Sequence, residues 1–286
     1  MPDRRIHRPF RAVLFGLLAL VSAAASAALT LDGEPVQGAL LIGHAPPDHD
    51  VVLDGEPLLR TSDGSFLVGF ARDDTEPRRL VVTAPDGERI ERVLRPADRE
   101  FDIQRIDGLP PSQVTPDPEA MERIRAEAAL TRAARERRDD RADFRDGFIW
   151  PMTGPITGVY GSQRILNGEP RNPHWGIDIA APTGTPVVAP ASGIVTLVHD
   201  DMYFSGGTLL LDHGLGLSSA FLHLHRILVE EGQRVEQGEV IAEVGATGRV
   251  TGPHLDWRMN LGPTRVDPGL LLPGFPNPPT DDVAAD

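Results

Sequence analysis

Three segments of the 286-residue chain carry histidine and aspartate at spacings that would gather them on one surface. They are PHWGIDIAAPTGTPV, with His174 and Asp178; AFLHLH, with His223 and His225; and TGPHLDWRMN, with His254 and Asp256. Side chains alternate faces along a β-strand, so His254 and Asp256 share one side while Leu255 takes the other, and the same period puts His223 and His225 together. His174 and Asp178 are four apart, but Pro173 and Gly176 argue against a helix and predict a loop entering a strand. Imidazole and carboxylate are the ligands zinc accepts when thiolate is unavailable, three protein groups leaving the fourth position to water. Remaining histidines then suit general acid–base chemistry or a developing oxyanion. The residues by themselves leave two readings open: metal-assisted hydrolysis, or structural histidines scattered over half-solvated strands.

The elements that must position these groups are predominantly strands. From residue 147 to residue 273, TPVVAPASGIVTLVHD, GTLLLDHG, LSSAFLHL, ILVEEGQRV, GEVIAEVGATG and HLDWRMN are punctuated by Gly and Pro, which predicts a compact antiparallel β domain. Residues 28–107 read as a second unit: short alternating runs separated by Asp-Gly turns at Asp32-Gly33, Asp54-Gly55, Asp63-Gly64 and Asp86-Gly87 predict a small antiparallel sandwich. Nothing in that unit points to catalysis, and His44 and His49 flank a Pro-Pro turn as solvated residues. Residues 108–146 connect the two. GLPPSQVTPDP is a Pro-rich linker, and Glu119 to Arg145 predicts one exposed charged helix with Asp117 as its cap before Pro118. Residues 274–286 read as a disordered acidic tail. The fold class is therefore all-β, two antiparallel domains joined by a linker and one helix.

Composition narrows the function. The chain opens with Arg4, Arg5, Arg8 and Arg11 before an apolar run from Ala12 to Val21 and Ala25-Ser26-Ala27, the layout of a secretory signal peptide over residues 1–27. The run is short for a membrane span, which needs about 20 residues. The expectation is a periplasmic or secreted protein without stable membrane insertion after cleavage. Removing those residues takes four of the 28 basic and one of the 42 acidic side chains, moving the formal charge from −14 to −17. Such a balance excludes nucleic acid and anionic lipid as favoured partners. Cysteine is absent, so no thiolate metal site or disulfide can exist. Lysine is absent too, every one of the 28 basic residues being Arg. That excludes a biotinyl or lipoyl carrier, whose V-x-x-G-x-x-V-x-x-G rhythm VEEGQRVEQGEVIAEVGATG otherwise resembles.

The order H-x-G-x-D-x-A-A-P-x-G-T-P-V, then aromatic-x-H-L, then G-x-x-V-x-x-G-x-x-I-x-x-V-G-x-T-G-x-x-T-G-P-H-L-x-W resembles the lysostaphin/LytM-type zinc metalloendopeptidases. The similarity runs from Pro151 to Pro268. It implies a lysostaphin-type peptidase β domain acting on peptide stems of bacterial cell-wall peptidoglycan, with one Zn2+ or similar divalent cation. Carried over residue by residue, it implies His174 and Asp178 as metal ligands and His223 and His254 as catalytic histidines. The family's third ligand is the last histidine of H-x-H; here that position is Asp256. If Asp256 binds the metal, one imidazole and two carboxylates make a harder, more anionic shell and a weaker Lewis acid. If it does not, the resemblance implies a non-catalytic peptidoglycan-binding or amidase-activating protein with a cell-wall hydrolase as partner. By analogy with periplasmic members, the expected bond is a direct cross-link between D-amino acids. Arg164 and Asn167, just before the first ligand, are candidate substrate contacts, since a guanidinium can hold a stem carboxylate. His213 is assigned to structure, His199 and His225 to solvated positions, and Trp175 and Trp257 to packing behind the ligands.

Overall fold

The computed structural model describes residues 29–106 and 118–276. The signal-like segment 1–27, the Pro-rich stretch with Asp117, and the acidic tail beyond residue 276 lie outside the described residues. Over the described residues the fold is all-β with one α-helix.

In the N-terminal part, β1 (Thr30–Asp32), β2 (Leu40–His44) and β5 (Ser65–Gly69) form one antiparallel sheet. A second sheet has the order β4-β3-β6-β7, from β3 (Asp50–Leu53), β4 (Glu56–Pro57), β6 (Arg78–Thr83) and β7 (Arg89–Leu94). Alternation explains the sandwich: Leu41, Phe66 and Val68 of the first sheet meet Val51, Leu53, Leu80 and Val82 of the second in one core. The other face of the first sheet is apolar as well. Leu40 and Leu67 belong to the core of the C-terminal half, which is why β5 is buried at every position. Polar ties reinforce that junction: Arg99 Nη2 lies 2.8 Å from Asp267 Oδ2, the Asp267 N–H donates to Gly38 O at 2.7 Å, and the Tyr160 hydroxyl donates to Arg265 O at 2.9 Å.

Two segments depart from expectation. Strand β8 (Ile103–Ile106) runs parallel to β10 (Gln163–Leu166), itself hairpinned to β11 (Glu169–Pro170), so the last run of the N-terminal pattern completes a sheet with the C-terminal half. The helix predicted to reach Arg145 is shorter: α1 spans Pro118–Ala133. Its ladder tightens at once, Arg135 and Glu136 bonding back three residues to Arg132 and Ala133. Beyond it the chain is held by ion pairs, Arg137 to Asp139 and Arg141 to Asp143 and Asp212, and Phe144 is fully buried. Nor is α1 a free bridge. Arg123 pairs with Asp201 at 3.0 Å and Glu127 accepts the Tyr203 N–H at 2.9 Å, which lays the helix on the large C-terminal sheet. Among the described residues no helix is long and apolar enough to cross a membrane.

That large sheet has the order β18-β14-β15-β16-β20-β12-β9. Its strands are β9 (Ile156–Gly158), β12 (Gly176–Ala180), β14 (Gly193–Met202), β15 (Gly206–Asp212), β16 (Leu217–Leu224), β18 (Arg234–Val235) and β20 (His254–Leu261), with β21 (Thr264–Val266) paired to β20. A small sheet of β13 (Pro186–Val188), β19 (Val240–Glu243) and β17 (Arg226–Ile227) packs beside it. One face of the large sheet supplies the core through Ile177, Ile179, Leu209, Phe221, Leu255 and Trp257. The opposite face carries a smaller apolar patch, Leu197, Met202, Leu210, Ala220 and Leu222, covered by Ala134. The candidate ligands lie on this second face. Of the tail expected to be disordered, Phe275 packs on the core, stacked against Trp150 at 6.2 Å.

His213 shows what a structural histidine looks like here. It is fully buried, Nδ1–H donates to Ser192 O at 2.7 Å and Nε2 accepts from the Ser219 hydroxyl at 2.8 Å. Burial pushes its pKa down to about 4, against smaller opposing effects of Ser192 O and Asp143, while Arg141 and Arg234 lower it further. The folded protein thus holds the neutral form where the unfolded chain takes up a proton. Stability from this group is complete above pH 6.5 and is lost as pH falls toward 4, by about 3 kcal/mol. Denaturant titrations of the wild type and His213→Gln should show the wild type losing that much more over the window. Asp212, whose carboxyl burial pushes up to about 6, titrates in both proteins and drops out of the difference.

Candidate active site

Strand register builds the site. Asp178 on β12 stands directly opposite Asp256 on β20, and Ala180 opposite His254, so residues 178, 254 and 256 project from one face. Two carboxylates facing each other across neighbouring strands repel unless a cation lies between them. His174 reaches over from the turn before β12, oriented by its Nδ1 at 3.2 Å from Val159 O. Its Nε2 is 3.0 Å from Asp178 Oδ1 and 3.5 Å from Asp256 Oδ2, and one ligand atom from each of the three residues lies within 4.8 Å of the others. Yet His174 Nε2 and Asp178 Oδ1 are buried without a hydrogen-bond partner. Two ligands at about 2.0–2.2 Å from one tetrahedral cation stand roughly 3.3–3.6 Å apart. Orphaned donors at such separations fit a divalent ion. Burial alone would lower the His174 pKa, but the two carboxylates overrule it and raise it to about 10.

Glycines keep the space open. A Cβ at Gly158 would collide with the Asp178 carboxylate, and one at Gly176 would lie 2.9 Å from Asp256 Oδ1 and collide with the Trp257 carbonyl. Gly158→Ala should therefore displace Asp178 and weaken divalent-cation binding at least about 10-fold, the scale seen when support of a ligand is lost, with the fold intact by circular dichroism. Calorimetric titration with Zn2+ reads this directly.

A residue that sequence reasoning missed changes the electrostatics. Arg258 follows Asp256 at the same period of two, and its guanidinium forks onto the carboxylate: Nη2 is 2.5 Å from Oδ2, and Nε is 3.0 Å from both oxygens. Asp256 is buried, which would raise its pKa, but Arg258 and His174 hold the carboxyl well below the usual range. A carboxylate offers about four lone-pair sites, enough to accept Arg258 and still ligate. The candidate ligand set His-Asp-Asp carries one more negative charge than His-Asp-His, and Arg258 cancels it. The shell expected to be harder and more anionic is, as a unit, no more anionic than the family pattern. The signal was present in HLDWR, where the alternation extends one step further.

The two histidines arrive by different routes. His254 sits at the start of β20, Nδ1–H donating to Gly252 O at 2.9 Å and Nε2 3.9 Å from Asp178 Oδ1. His223 should by strict alternation share the core face with Phe221. It does not, because β16 bulges there: Leu209 pairs with Phe221 but Gly207 with Leu224, and His223 adopts φ 65°. The bulge re-aims the ring toward His254, centroids 4.9 Å apart, while Nδ1–H donates to Thr247 O at 2.9 Å. Both rings donate through Nδ1 to carbonyls, so each presents an unprotonated Nε2 when neutral. Burial lowers the His223 pKa, favouring that form. His225 is exposed, in keeping with its solvated assignment, but it does not share a face with His223, since the bulge ends the alternation between them.

Five residues singled out from sequence thus converge: His174, Asp178, His223, His254 and Asp256. Trp257 packs fully buried in the core behind them, and Trp175 lies half-buried against Tyr160 at 6.0 Å. Arg164 and Asn167 fall on the β10–β11 hairpin. Arg164 is in register with Gln104, and Asn167, with φ 51°, forms the turn between Leu166 and Glu169. The hairpin adjoins the first ligand through His174 N–H to Ser162 O at 2.7 Å.

Comparison with known proteins places these segments in a common frame. Residues 172–268 match peptidase family M23. Cell division protein DipM of Caulobacter vibrioides is 36% identical over 132 residues, 44% of this chain and 21% of that protein. Peptidoglycan DD-endopeptidase ShyB of Vibrio cholerae is 37% identical over 145 residues, 50% of this chain and 31% of that protein. The chain therefore spans less than a third of the length of these two curated relatives. Likeness to a crystal structure of an M23 peptidase from Pseudomonas aeruginosa extends further, with 32% identity and a TM-score of 0.63, covering 83% of this chain and 95% of that one. Agreement over nearly all of a solved M23 peptidase, together with a family match whose residues 172–268 contain the three segments that meet at the site, makes the chain a member of peptidase family M23.

Proposed function

We propose that the protein is a secreted, metal-dependent endopeptidase that hydrolyses peptide cross-links of bacterial peptidoglycan. The observation that carries the reading is the convergence of His174 Nε2 and Asp178 Oδ1, buried and without hydrogen-bond partners, with Asp256. His174, Asp178 and Asp256 would hold one Zn2+. When bound, the ion supplies Lewis acidity and lowers the pKa of water at the site.

The chain's own residues do the rest. His254, with Nε2 facing the ligand cluster, accepts a proton from the attacking water; Gly252 O fixes the tautomer that makes this possible. His223, neutral through burial and anchored by Thr247 O, receives at its unprotonated Nε2 the proton that His254 has taken up and hands it to the departing amine, which returns both rings to their starting form. Arg258 holds Asp256 in a single orientation. The free carboxylates of peptide stems suit a site with arginine at its edge.

A catalytically inert wall-binding module is the competing reading, and Arg258 forking onto Asp256 favours it, because that contact engages one of the three ligands without any metal. Digestion of purified sacculi with and without chelator separates the two. The endopeptidase reading expects released muropeptides that chelator abolishes and Zn2+ restores; binding to sacculi without cleavage under any metal would support the inert module.

A further inference from the structure

A cavity of about 280 Å3 opens on the site face of the sheet, beside the C-terminal end of α1. Arg135, Arg249, Arg258 and Arg265 line it, together with His223. Arg258 is matched by Asp256. For the other three, no carboxylate among the described residues lies within 4.0 Å. Register explains the gathering: Arg265 on β21 stands opposite Asn260, on the face that carries Asp256 and Arg258. Arg249 lies over the Phe204 ring at 4.4 Å and Arg265 over the Trp175 ring at 5.2 Å. Such stacking holds a guanidinium flat and leaves its edge N–H groups free for a planar anion. Arg135 has its Nε buried without a hydrogen-bond partner, and burial together with the charges of Arg265 and Arg258 brings its pKa down to about 10. The negative end of α1 offsets only a fraction of this charge. In a chain of net charge −14, three unmatched guanidinium groups in one cavity are a local surplus that favours an anion.

We propose that this cavity is a carboxylate subsite, built from Arg135, Arg249 and Arg265, which binds a free carboxylate of a peptide substrate close to the bond to be cut. The identity of the ligand rests on the peptidase reading. Its distance from the reacting bond follows from His223 and Arg258, which line the cavity and also stand beside His254 and Asp256 respectively. His223 and Arg258 belong to both surroundings, so a short stretch of extended peptide links a carboxylate held there to a carbonyl beside the proposed ligands. Guanidinium and carboxylate pair through two parallel charge-assisted hydrogen bonds, which a neutral amide cannot reproduce.

The test is an NMR titration of the full chain stripped of metal by chelator, so that no peptide is consumed. The probes are acetyl-D-Ala-D-Ala as the free acid, its C-terminal amide, and acetate. The acid should bind about 10-fold tighter than the amide, and the advantage should shrink below about 3-fold in Arg265→Gln and Arg135→Gln and fade with added salt. Melting curves check that both variants fold. Equal binding of acid and amide to the wild type overturns the proposal without recourse to any variant. So does an acid preference that survives both substitutions, or acetate competing as strongly as the dipeptide. A protein that distinguishes acid from amide but releases no muropeptides keeps the subsite and refutes the peptidase reading.

Discussion

Replacing Arg258 by methionine is expected to destabilise the metal-free protein by about 3 kcal/mol, the lower end of what breaking a buried ion pair costs, since Arg258 is 26% exposed while Asp256 is 3% exposed. The same substitution should tighten divalent-cation binding, because Asp256 then confronts Asp178 with no guanidinium to neutralise it. Added Zn2+ should consequently raise the melting temperature more in Arg258→Met than in the wild type, restoring part of the loss by mass action. The opposite exchange is equally informative. Asp256→His recreates the family ligand but leaves Arg258 unpaired beside the cation, so it should bind metal more weakly than the wild type. Combining Asp256→His with Arg258→Met should recover affinity, a non-additivity of about 0.5–3 kcal/mol of the kind expected for residues in contact. If the four proteins show additive affinities, Asp256 and Arg258 are not a unit.

The second large effect concerns His174. His174→Ala removes the only imidazole among the three proposed ligands and leaves two carboxylates opposite each other. Losing a group that merely orients a ligand costs about 10–100-fold in metal affinity; losing the ligand itself should cost more than about 100-fold. Muropeptide release should fall to background and not recover with millimolar Zn2+. Binding by size-exclusion-purified protein, measured beside circular dichroism, separates loss of metal from loss of fold.

Much of this site was legible in the sequence because it rests on strands, whose period of two is strict wherever one face is buried. His254 and Asp256 followed from that period alone, and so would Arg258, had the alternation been read one step further. The rule failed at His223 because a bulge inverts the facing of a single residue, and nothing in FLHL announces it. The helix was over-extended because Arg135 to Asp140 are good helix formers or solvated charges; what ends α1 is a set of long-range ion pairs to Asp212 and the burial of Phe144, neither of which is a local signal. The arginine cavity was invisible for a similar reason. Its members come from four separate segments, and only the packing of α1 on the sheet brings Arg135 to Arg265.

The central claim is that His174, Asp178 and Asp256 together hold a single cation while Arg258 remains in place. Calorimetric titration of chelator-stripped full-length protein with Zn2+ tests it most directly. One ion per chain, bound at micromolar concentration or tighter and lost in His174→Ala, is the predicted result. No heat of binding up to millimolar Zn2+, or a binding isotherm that His174→Ala leaves unchanged, would contradict it.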